Sequence, residues 1–190
     1  MRLLFAAVAL TTAFTSQAAW QLDPAQSQLR FVSVKNGVVA EVHKFSQLSG
    51  NWAADGKVTI QIPVATLDTM IPIRNERIWQ YVLQAELFSA ITVSAELNQD
   101  SLAKLAIRDS MLLELPLNVT IATETVALNA KLRITKLSAN TLQAVTEAPL
   151  MLNTSSFKLT DGVAKLQELA GLNSIDALVP VSFTVRFNQQ

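Results

Sequence analysis

Residues 113–134 read LELPLNVTIATETVALNAKLRI, and their apolar side chains fall on every second position. Leu113, Leu115, Leu117, Val119 and Ile121 are followed, after a short interruption, by Val126, Leu128, Ala130, Leu132 and Ile134. Successive side chains of a strand point to opposite faces, so each run describes a strand with one oily and one wet face. The same period recurs at Val58, Ile60, Ile62 and Val64, at Ile91, Val93, Ala95 and Leu97, and at Val179, Val181, Phe183, Val185 and Phe187. Long half-buried strands without βαβ spacing predict an all-β fold, an antiparallel sandwich or barrel. Function turns on whether the oily inside is a packed core or a container.

Working outward from these runs, Trp20 to Asp23 reads as a short strand that Asp23-Pro24 turns away, because proline fixes φ and biases its neighbour against helix. Leu29 to Val34 and Val38 to Phe45 form a hairpin pair across Asn36-Gly37, and Asp55-Gly56 turns a short strand over residues 51–54 into the Val58 run. The count reaches about eight strands, enough to close a barrel whose interior holds one ligand. Two segments change period. Asn75 to Phe88 reads as a helix capped by Asn75, with Ile78, Trp79, Val82, Leu83 and Leu87 on one stripe. Asp161 to Ala170 reads as a second, with Gly171 at its C-terminal cap.

The first eighteen residues stand apart. Met1-Arg2, the apolar run Leu3 to Phe14 and the small-residue stretch to Ala18 have the three parts of a secretory signal peptide, which leaves one domain over residues 19–190. The run is too short for a membrane span of about 20 apolar residues. Arg2 lies in the leader and the fifteen basic and fifteen acidic residues otherwise balance, so the mature chain carries about one net negative charge. Nucleic acid, which needs a basic excess on one face, is a poor partner for such a chain. No cysteine is present, which removes disulfides, thiolate metal sites and cysteine nucleophiles together.

Chemistry-bearing motifs are sparse. His43 is the one histidine. Glu41, two residues before it on the same strand face, could orient the ring for hydrolysis, or the two could form an outward polar pair on an amphipathic strand. One imidazole cannot build a zinc site, and neither a calcium loop nor a glycine-rich phosphate loop appears, so no metal and no cofactor is expected. The first helix could line a cavity mouth with Trp79 and Tyr81, and the second could form a lid or pack as core. Arg74 and Arg77, placed at the start of the first helix, are the best anion-facing pair, since N-terminal amides add partial positive charge to theirs.

Several blocks resemble the YceI-like proteins. They are Trp20-x-Leu22-Asp23-x-x-x-Ser27-x-x-x-Phe31, Thr66-Leu67-Asp68-Thr69, Arg74-Asn75-x-Arg77-Ile78 with Leu87-Phe88, Leu152-Asn153-x-x-x-Phe157, the Gly162 to Leu172 segment, and Val179-Pro180-Val181-x-Phe183. Their order and spacing cover about residues 20 to 187. The resemblance implies an exported, extended lipocalin-like β-barrel that encloses a long isoprenoid chain, polyprenyl or quinone-like, for storage, transport or scavenging in the periplasm or outside the cell. This chain departs from the pattern at Asn75 and Arg77, where the family has an acidic residue and a histidine, at Ser89-Ala90 in place of Tyr-Pro, and at Lys158, commonly glycine.

On this reading the ligand-facing residues are Phe31, Ile60, Ile62, Leu67, Ile78, Trp79, Val82, Ile91, Val93, Leu115, Leu117, Leu128, Leu132, Val181 and Phe183, with Arg74 and Arg77 at the headgroup. No catalytic residue is assigned. The partner is an isoprenoid-type lipid, met by transient membrane contact; the oligomeric state is open, a homodimer included. The rivals are a filled-core interaction or stress-response module and, further off, a hydrolase using His43. An outer-membrane barrel would need aromatic girdles that twelve aromatic residues hardly supply.

Overall fold

The computed structural model describes residues 20–190; the expected signal peptide lies outside the described residues. Twelve strands form one antiparallel sheet: β1 (Trp20–Leu22), β2 (Gln28–Lys35), β3 (Val39–Phe45), β4 (Ser49–Trp52), β5 (Lys57–Pro63), β6 (Leu67–Asp68), β7 (Ala90–Glu96), β8 (Ser110–Ile121), β9 (Glu124–Ser138), β10 (Thr141–Thr146), β11 (Leu150–Asn153) and β12 (Leu178–Gln189). Eight of them, β1, β4, β5, β7, β8, β9, β10 and β12, close into a ring. Strand β12 pairs with β10 through Asn188↔Thr141 and with β1 through Gln189↔Trp20. The first half of β12 carries the remaining strands, β2 (Val181↔Phe31) and then β3 and β6 on one edge, β11 (Leu150↔Val181) on the other. These extend the wall beyond the ring, so the fold is an eight-stranded lipocalin-like barrel with added strands.

The turns follow local chemistry. Asn36 (φ 53°) and Gly37 (φ 68°) are both left-handed, and Val38 N–H donates to Lys35 O, the hairpin geometry that an Asn-Gly pair favours. Lys158, at the position where the resemblance leads one to expect glycine, is also left-handed at φ 53° and caps the short helical turn Thr154–Phe157. Strands β10 and β11 go beyond the sequence reading; they are short, and their apolar and polar positions alternate weakly.

The first helix differs from its expectation. Helix α1 (Pro72–Arg77) begins with proline at its first turn, where a missing N–H costs nothing, and passes into a π-turn over Ile78–Val82. Asn75 is inside the helix and its side chain reaches back to accept from Thr69 N–H (2.9 Å) and Thr69 Oγ1 (2.6 Å). Arg74 and Arg77 therefore sit in the last turn, and the argument from N-terminal amides does not apply to them. A one-turn helix α2 (Asp100–Ala103) drives Leu102 into the interior. Helix α3 (Thr160–Ala170) lies as expected and ends at left-handed Gly171.

Helix α3 packs across the π-turn at its first turn, and Gly162 makes the approach possible. A Cβ built there would collide with the carbonyl oxygen of Tyr81. Arg77 Nη1 then donates to Leu169 O (3.3 Å) near the other end of α3, where helix carbonyls carry partial negative charge. The two helical segments form one cap over an end of the barrel. The far end is closed by apolar packing. Trp20 and Trp52 stack with ring centroids 5.6 Å apart, and Leu22, Leu102, Leu142 and Phe187 are buried around them.

Candidate functional site

Between the cap and the Trp20–Trp52 floor the inward faces do not meet. They enclose a cavity of about 550 Å³, within the size of ordinary small-ligand sites. Strand parity predicted its walls: Phe31, Ile60, Ile62, Leu67, Ile91, Val93, Leu115, Leu117, Leu128, Leu132, Val181 and Phe183 all line it. Ile78 and Val82 reach it from the π-turn, and Val163, Leu166 and Ala170 reach it from α3. Apart from Gln143 and Thr154, the lining is apolar from Trp52 up to the cap.

Trp79 is a correction. It packs against the barrel's core from the flank of the π-turn but does not line the cavity, and neither does Tyr81. The wider π winding, in which Leu83 N–H reaches Ile78 O, moves successive side chains off the stripe that a regular helix would present.

Polar groups gather at the cap end: Ser33, Lys35, His43, Arg74, Arg77 and Asp176 line the cavity there. Glu41 ties them together, accepting from Arg74 Nη1 (2.6 Å) and Lys35 Nζ (2.7 Å). The second nitrogen of Arg74 donates to Thr69 O. The Lys35 hydrogen bond, with Arg74 adding to it, holds the Glu41 carboxyl below its usual range against a smaller opposing effect of burial. Arg74 and Arg77 thus reach the cavity as expected, but each already serves the protein, Arg74 in the ion pair and Arg77 in the clasp to α3.

His43 corrects the reading of an outward polar pair. It is only 4% exposed, faces inward with Phe31 against its ring (5.2 Å between centroids), and shares a hydrogen bond between Nε2 and Ser33 Oγ (2.8 Å). Burial, and secondarily the nearby Arg74 charge, pushes its pKa down, so the ring is neutral at physiological pH. Ser33 is its one polar neighbour by hydrogen bond, and Glu41 is turned to Arg74 and Lys35. Nδ1 of His43 and Nε of Arg74 are buried with no hydrogen-bond partner among the described residues. Ser33 and Lys35 follow Phe31 at steps of two, a parity signal the sequence reading left unused. Among the described residues no group of three or more His, Asp or Glu side chains could hold a metal ion.

A closed antiparallel barrel around one apolar chamber, with polar groups at a capped end, defines a lipocalin-like binding protein. The chain belongs to the YceI-like family, whose domain profile matches residues 20–187. A polyisoprenoid-binding domain from Saccharophagus degradans, implicated in plant cell wall breakdown, superposes with a TM-score of 0.88 at 29% identity, covering 91% of this chain and 99% of that one. BcnA of Burkholderia cenocepacia superposes with a TM-score of 0.64 at 17% identity, covering 87% of this chain and 98% of that one, a likeness of fold alone. No curated protein matches this chain.

Proposed function

We propose that this protein is an exported carrier that holds one long-chain isoprenoid lipid, polyprenyl or quinone-like, with its tail in the barrel and its headgroup at the capped end. The continuous apolar chamber carries this reading. The polyisoprenoid-binding domain of Saccharophagus degradans, alike over nearly its whole length, supports it. The sequence of residues 1–18 supports export.

Burying hydrocarbon is worth about 0.8 kcal/mol per CH₂ against water, so such a lipid does not leave the barrel into solvent. Its tail is already dry in a bilayer, and the barrel needs only to match that environment for exchange to run both ways. The headgroup has two open positions. Arg74 Nε–H is a donor without an acceptor, and neutral His43 offers Nδ1 as donor or acceptor according to tautomer. A quinone carbonyl or an alcohol fits both, and the Glu41 pair already offsets the charge of Arg74.

The test is organic extraction of the purified protein followed by mass spectrometry. We expect an isoprenoid at about one per chain, and about tenfold or greater loss of it when Ala144 or Ala95 in the wall is enlarged to Phe. Protein that carries no lipid and takes up no added polyprenol would sink the reading.

A further inference from the structure

The outer surface around the capped end reverses the usual pattern of a barrel. Val38 is 82% exposed and Met70 81%, and Ile71 and Ile73 are exposed on one side while lining the cavity on the other. They come from separate segments, the β2–β3 hairpin tip and the stretch that runs from the loop before α1 into its first turn. A third segment, between α3 and β12, is tied to the hairpin by Asn173 N–H donating to Asn36 Oδ1 (2.8 Å) and by Lys35↔Ile175 pairing. Together they make an apolar lip around the polar opening.

The wall below the lip continues the pattern in rows. On the outer face Val32 lies opposite Val42, and Val42 shares a shallow recess with Met70. One strand step further from the lip the register reads Ser182↔Arg30, Arg30↔Lys44, Lys44↔Asp68, and Lys44 Nζ lies 3.5 Å from Asp68 Oδ2, so Arg30 and a Lys44 shared with Asp68 border the oily rows. Apolar rim first and cations behind it is the order in which a protein surface meets hydrocarbon and then phosphate headgroups.

We propose that the capped end docks onto the surface of an anionic lipid bilayer, with Val38, Met70, Ile71 and Ile73 inserting among the acyl chains and Arg30 and Lys44 at the headgroup level. The inference rests on the lipid-carrier reading and places the opening against the phase from which the tail comes. The lip rises from separate loops around a hole, so a bilayer fits it better than a flat partner face. A second copy of the chain is the rival occupant, since among the described residues the outer edge of β3 is unpaired over Val39–His43, its pairing with β6 starting at Lys44.

The test uses the purified full-length mature protein in flotation with phosphatidylcholine vesicles, with and without phosphatidylglycerol, and transfer of a fluorescent polyprenol between vesicle populations. We expect binding that needs phosphatidylglycerol and weakens with salt. V38D/M70D should lower it about tenfold and slow transfer, while the lipid retained through purification stays the same. Neither residue lines the cavity, and Asp tolerates the left-handed backbone of Met70 (φ 64°). L112D, exposed on β8 toward the closed end, should change neither readout.

Protein that does not float, or V38D/M70D that floats like the parent, overturns the proposal. So does V38D/M70D that turns a dimer into a monomer by sedimentation when the parent shows no vesicle binding. Lipid-loaded protein that ignores vesicles overturns docking alone; protein that floats but carries and takes up no isoprenoid overturns the carrier reading alone.

Discussion

His43 shows what one buried ring does to the stability of the whole chain. Burial holds its folded pKa below the usual 6.5, so between the two values the unfolded chain binds the extra proton. Stability therefore falls as pH drops through about 6.5 and levels off below the folded pKa. Glu41, also lowered, adds a second loss as pH falls below its ordinary 4.5. Urea titrations from pH 7.5 down to about 3.5 should show both slopes, and H43Q should flatten the upper one while leaving the lower one. Unchanged slopes in H43Q would place the proton elsewhere. The inward direction of His43 was not read from the sequence because alternation assigns oily positions to the interior. On β3 near the opening the assignment inverts: Glu41 and His43 point in, Val42 points out at 64% exposed.

At the level of elements, the cap hangs on one backbone approach. Replacing Gly162 by alanine forces the Tyr81 carbonyl away from α3, and overpacking of this kind costs about 1 to 3 kcal/mol. The expected phenotype of G162A is a lower melting temperature together with faster release of a preloaded fluorescent polyprenol to vesicles. A stability loss with unchanged release would mean that the cap does not gate the cavity. Helix α3 was legible because its stripe and Gly171 agree. Helix α1 was not, because Asn75 offers a capping side chain that the structure spends on Thr69, while Pro72 marks the true start. A π-turn leaves no composition signature, and Trp79 was misplaced for that reason.

For the whole molecule, strand parity made the barrel and nearly all of its inner wall readable. It could not tell a chamber from a filled core, since the same side chains point inward in both; only how far the sheet stands apart decides. Closure through the three residues of β1 was equally hidden. Substitution separates the two regimes. F157A, at a side chain 1% exposed and outside the cavity lining, should cost about 3 to 5 kcal/mol. I60A and L128A, which face the chamber, should cost less than the 2 to 5 kcal/mol typical of packed sites, because no close-packed neighbour is lost across the gap, yet should lower lipid retention. Guanidinium melts with parallel lipid extraction measure both, and equal destabilisation at all three positions would favour a filled interior.

The stacked indoles of Trp20 and Trp52 lie at the floor, and Trp52 also lines the chamber. Their emission, read in a W79F background that removes the third indole, makes a built-in depth gauge. A chain long enough to touch bottom changes the surroundings of Trp52, whereas a shorter one leaves a gap above it, so a series of prenyl lengths read by intrinsic fluorescence measures the vessel's usable reach without any attached dye.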